Sequence, residues 1–97
     1  MRIALDTNVL AYAEGVDDTT RMEIVTTLVA SLPPEAIIIP TQVLGELFNV
    51  LTRKAGRSGG EARAMVLDWQ DSYATAPTTP EVMSAAMDLA ATHQLRI

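Results

Sequence analysis

Three consecutive isoleucines, Ile37-Ile38-Ile39, stand between Pro33-Pro34 and Pro40-Thr41. β-Branched side chains crowd a helix and suit an extended strand, and a run without polar alternation leaves no face for water. Such a strand is buried on both faces, as in a parallel sheet. Parallel strands cannot be joined by tight turns, so the chain on either side must supply helical crossovers.

The flanking segments meet that demand. Arg2 to Leu5 is a short apolar run broken by Asp6-Thr7-Asn8, after which Val9, Leu10, Tyr12 and Ala13 follow at helical spacing. This predicts strand, polar corner and helix, with Thr7 or Asn8 able to cap the helix. Asp17-Asp18-Thr19-Thr20 offers N-cap chemistry to a second helix with apolar positions Met22, Val25, Leu28, Val29 and Leu32, stopped by Pro33-Pro34. A third helix is expected from about Gln42 to Lys54, ending before Gly56. Ser58-Gly59-Gly60-Glu61 has the form of a capping box and starts a fourth, through Met65, Val66, Trp69 and Tyr73. Ala74 to Thr78 supplies a third short strand, and Thr79-Pro80-Glu81 opens a last helix reaching about His93. Strands alternating with helices imply one α/β domain over residues 1–97, three-layered around a short parallel sheet. Ile3-Ala4-Leu5 is then an open edge, and Leu95-Arg96-Ile97 reads as an interrupted ending.

Composition narrows the chemistry. The absence of cysteine removes disulfides, thiolate catalysis and thiolate metal sites, and one histidine, His93, excludes a multi-histidine site. No apolar run approaches the roughly 20 residues of a membrane helix, so a soluble, cytoplasmic protein is expected. Seven Lys plus Arg against twelve Asp plus Glu give a net charge of -5, so a polyanionic partner must be held locally, by a patch or a metal.

Asp6 directly follows an apolar strand and so lies at its carboxyl end, where open α/β sheets bind ligands. Either it serves such a site, with Thr7 and Asn8 in support, or it caps the first helix. Glu46 interrupts a strongly apolar helix, and Gln42, Glu46, Asn49 and Arg53 form one polar stripe, which either lines a cleft or faces solvent. Two converging carboxylates make a hard-oxygen site suited to Mg²⁺ or Mn²⁺, although phosphoryl transfer generally asks for a third or fourth oxygen ligand. Asp68, Asp71 and Asp88 are the remaining downstream aspartates and read as solvated helix charges. Arg53, Lys54, Arg57 and Arg63 hold four of the seven basic charges around a glycine-containing loop. They either contact RNA or DNA phosphates or complement a helix C-terminus. Trp69, Tyr73 and the methionines read as packing residues, and His93 as a helix-end charge.

The segments Ile3-Ala4-Leu5-Asp6-Thr7-Asn8-Val9-Leu10 and Ile39-Pro40-Thr41-Gln42-Val43-Leu44-Gly45-Glu46-Leu47, and more loosely Ala85 to Ala90, resemble the PIN-domain nucleases, in particular the VapC-type toxins. The resemblance implies a Mg²⁺-dependent endoribonuclease with Asp6 and Glu46 as metal ligands and catalytic acids and Thr7 and Asn8 supporting them. Arg53, Lys54 and Arg57 then stand where RNA binds, the partners are a cognate antitoxin and often a second toxin copy, and the cofactor is Mg²⁺ or Mn²⁺. The family's third acid lies just beyond the segment matching His93 to Ile97. The chain is therefore expected to be the amino-terminal portion of a PIN domain, without an intact metal site of its own. A rival phosphatase reading needs D-x-D, which Asp6-Thr7-Asn8 lacks. A non-catalytic fragment that binds the antitoxin or self-associates is the other alternative.

Overall fold

The computed structural model describes residues 2–77 of the chain. Its elements run β1 (Ile3–Ala4), α1 (Thr7–Ala13), α2 (Thr19–Ser31), β2 (Ile37–Pro40), α3 (Thr41–Asn49), α4 (Gly59–Ser72) and β3 (Ala74–Ala76). The sheet order is β1-β2-β3 with both pairs parallel, so the isoleucine run is the central strand and β1 an edge of the described sheet. Ile3 pairs with Ile37 and Ala4 with Ile38, and the Leu5 N–H continues the ladder to the Ile38 carbonyl at 3.1 Å. That register brings the carboxyl ends of β1 and β2 side by side.

The pleat divides β2 between two apolar clusters. Ile37 and Ile39 join Leu5, buried residues of all four helices and Leu51 in the main core. Ile38 turns to the other face, with Ala4 and Ala76. Each fully buried Leu or Ile contributes about 1.5–3 kcal/mol relative to exposure, so the helical cover stabilises strands too short to persist alone. Within α2, Val25 and Val29 face the core, whereas Met22 and Ile24 are exposed, Met22 lying beside Gly15.

Local chemistry explains where the helices begin. Asp18 caps α2 by accepting from the Thr20 and Arg21 N–H groups, and α2 gives way at the two prolines to a 3₁₀ turn over Pro34–Ala36. Ser58 caps α4, accepting from the Glu61 N–H at 3.1 Å while its hydroxyl meets the Glu61 carboxylate at 3.2 Å. At α1 the cap is Asp6, one of the two roles the sequence left open for it, and not Thr7 or Asn8: its carboxylate accepts from the Val9 N–H at 3.0 Å.

Two boundaries differ from the sequence reading. The third strand ends at Ala76. The expected continuous helix from Gln42 to Lys54 is α-helical only to Asn49, and Val50–Lys54 forms a π-turn closed by the Ala55 N–H on the Val50 carbonyl at 3.1 Å. Within it, the Thr52 hydroxyl donates to the Phe48 carbonyl at 3.0 Å, a local bond that competes with the regular ladder. Gly56 follows with φ +66°, a left-handed residue after the helix end. The expected last helix, and with it Asp88, His93 and Leu95-Arg96-Ile97, lies outside the described residues.

Candidate metal centre

Asp6 sits at the corner where β1 passes into α1, half-buried. Burial pushes its carboxyl above the usual carboxylate range, the Val9 and Asn8 backbone N–H groups work against that rise, and the Glu46 charge adds to it. Asp6 and Glu46 thus lie within reach of each other's charge. Thr7 and Asn8, both half-buried, open α1 beside it.

Glu46 comes from the exposed side of α3 and is held by two donors on different oxygens. The Thr7 hydroxyl donates to Oε2 at 2.5 Å, tying the β1–α1 corner to α3 across 39 residues of sequence. The Gln42 amide, one turn earlier on α3, donates to Oε1 at 3.0 Å. All four residues of the polar stripe, Gln42, Glu46, Asn49 and Arg53, are exposed, and the side chains that hold Glu46 are Thr7 and Gln42. The first turn of α3 is itself anchored, because Pro40 is buried in β2 and the Thr41 hydroxyl donates to the Ala76 carbonyl at 3.1 Å.

The donor set suits a hard divalent cation. Both groups are carboxylates, one is half-buried, and two negative charges share a partly desolvated corner, a setting that a cation relieves. Among the described residues no group of three or more His, Cys, Asp or Glu side chains could hold a metal, so Asp6 and Glu46 stand there as a pair. Asp68 and Asp71 are exposed on α4.

The basic cluster is divided by its partners. Lys54 pairs with Asp17 at 3.0 Å, and both side chains are largely exposed. Arg57 is more enclosed: its guanidinium donates to the Glu14 carbonyl, lies 3.8 Å from the Glu14 carboxylate and touches the Met65 sulfur. Burial pushes the Glu14 carboxyl up, Arg57 pulls it down, Asp68 raises it, and a hydrogen bond from Trp69 lowers it. These contacts pin the α1–α2 turn, where Gly15 and Asp17 have positive φ, to the loop after the π-turn. Arg53 is exposed on the π-turn and Arg63 on α4. Trp69 and Tyr73 stack at 5.8 Å and pack on the core, as packing residues should.

Sequence reasoning named the two acids and Thr7 but gave Gln42 no role beyond the polar stripe. The spacing of four between Gln42 and Glu46 was the available signal, since residues so placed meet on a helix.

The PIN domain family matches residues 3–97. The chain belongs to that family. PIN domains are generally nucleases that use divalent metal ions and act on RNA or other nucleic acid. Among curated proteins and among solved structures, no significant match was found. No helix among the described residues is long and apolar enough to cross a membrane.

Proposed function

We propose that the protein is a Mg²⁺- or Mn²⁺-dependent endoribonuclease of the VapC toxin type, with Asp6 and Glu46 as metal-binding catalytic acids. The observation that carries this reading is the junction of the two strand ends, where the Thr7 hydroxyl fixes Glu46 beside the half-buried Asp6. Asp6 and Glu46 would hold the ion, and a bound Mg²⁺ or Mn²⁺ supplies an activated water and charge stabilisation for phosphodiester hydrolysis.

The chain's own residues do the positioning. The Val9 N–H orients Asp6, leaving the carboxylate at the mouth of the corner, and Thr7 keeps Glu46 turned toward it. Asn8 supports the same turn. Arg53, exposed just after α3, is the basic residue best placed to meet an RNA phosphate; Lys54 and Arg57 join it only by exchanging their acidic partners for the backbone of the substrate. A cognate antitoxin would silence the site by presenting a cation to the acid pair, and a second toxin copy is a further expected partner. The proposed compartment is the cytoplasm.

One observation favours the second reading, a PIN domain that binds a partner or self-associates without cutting: β1 is an edge of the described sheet, and an open strand can pair with another chain. Both readings meet in one experiment, titration with Mn²⁺ followed by incubation with RNA in Mg²⁺, Mn²⁺ or chelator. The nuclease reading expects Mn²⁺ binding that Asp6→Asn and Glu46→Gln each weaken at least about tenfold, and metal-dependent RNA cleavage lost in both. Mn²⁺ binding indifferent to both substitutions, with RNA left intact, would overturn it and leave the binding module.

A further inference from the structure

We infer that Gln42 is a positioning residue of the metal centre, acting through Glu46; the inference rests on the reading of Asp6 and Glu46 as metal ligands. Glu46 is an exposed side chain with several rotamers to lose, and ordering such a side chain costs up to about 2 kcal/mol. A single donor, Thr7, fixes one oxygen and leaves the carboxylate able to swing about it. The Gln42 amide takes the other oxygen and fixes the carboxylate at both ends.

The choice of side chain matters as much as its position. An ionised carboxylate accepts only, so the Gln42 amide must turn its NH₂ toward Glu46. That amide is neutral. A Lys or Arg four residues before Glu46 would hold the carboxylate equally well but would cancel its charge and repel a cation. Gln42 orders Glu46 and leaves its full negative charge for a metal. The Cα of Gln42 is in turn fixed by the neighbouring Thr41, whose hydroxyl holds the end of β3. The geometry thus runs from the sheet, through the first turn of α3, to the carboxylate.

The test compares wild type, Gln42→Ala, Glu46→Ala and the double variant by titration with Mn²⁺ alone, read by electron paramagnetic resonance, with a metal-free thermal melt of each. Alanine is the best helix former, so Gln42→Ala should melt within about 2 °C of wild type. Its Mn²⁺ affinity should fall about threefold to tenfold with an altered line shape of the bound ion, and the loss should vanish in the Glu46→Ala background. Wild-type affinity and line shape in Gln42→Ala, or a loss that persists without Glu46, would overturn the inference. If Glu46→Ala leaves Mn²⁺ binding unchanged, the parent reading fails, and the role of Gln42 falls with it.

Discussion

Replacing Arg57 with alanine separates its structural contacts from any role in holding RNA. The guanidinium donates to the Glu14 carbonyl and faces the Glu14 carboxylate at 3.8 Å, and its side chain is 22% exposed. A hydrogen bond from a charged group contributes about 1.5–3 kcal/mol, and an ion pair this long adds a few tenths. The Glu14 carboxylate, 21% exposed, is then left without its cation. The expected loss is about 2–3 kcal/mol, which for a domain of this size lowers the melting temperature by roughly 10–20 °C. The pH dependence carries a sign. Burial raises the Glu14 carboxyl, so the stability it contributes is fully present below the ordinary carboxylate range and is lost as pH rises through the raised value. Removing Arg57 raises that carboxyl further, so the deficit of the variant should be larger near about pH 7 than near about pH 4. Circular dichroism melts at both pH values, with RNA filter binding well below the melt, measure the two roles separately. A variant that melts within about 2 °C of wild type while losing RNA retention would refute the structural assignment and return Arg57 to the substrate.

Substitutions at three further positions probe the corner and the helix end after the π-turn. Asp6→Asn keeps an N-cap acceptor and removes a charge that burial disfavours, so in chelator it should melt at or above wild type, whereas Asp6→Ala should lose about 1 kcal/mol with the cap. Because the raised Asp6 carboxyl destabilises only when ionised, the advantage of Asn should shrink toward acid pH; differential scanning calorimetry across pH checks both the order and its trend. Thr7→Val removes the donor to Glu46 and should weaken Mn²⁺ binding about tenfold, read by the same metal titration. Gly56→Ala forces a left-handed φ on a side chain and should cost about 1–2 kcal/mol, visible as a lower denaturation midpoint in urea.

The central strand and the caps at Asp18 and Ser58 are legible in the sequence because their causes are local: a β-branched run, and a side chain that reaches an N–H two or three residues ahead. The identities of Asp6 and Glu46 are legible for the same reason, one after a strand and one inside an apolar helix. Their meeting is not local. It follows from the parallel register of β1 and β2, which brings Thr7, the neighbour of Asp6, within one hydrogen bond of Glu46, 39 positions further on. The acids that engage Lys54 and Arg57, Asp17 and Glu14, belong to a turn far earlier in the chain, so no local pattern announces those pairs. At Val50–Lys54 the apolar and polar spacing fits an α-helix as well as the π-turn, so nothing in the pattern announces the wider turn.

That wider turn has a consequence for how the chain tolerates insertion and deletion. A π-turn accommodates one residue more than the α-helix it interrupts, and one residue is about 100° of helical rotation. The helix before it is phased to the acid pair through Gln42 and Glu46; its own last residue, Lys54, and Arg57 beyond it are phased to the α1–α2 turn. Deleting a single residue between Val50 and Lys54 would let the wide turn close as an α-turn with Arg57 near its present phase, whereas inserting one would swing it by about a quarter turn, away from Glu14. This five-residue stretch, of which Arg53 and Lys54 face water, thus tolerates shortening by one residue better than lengthening.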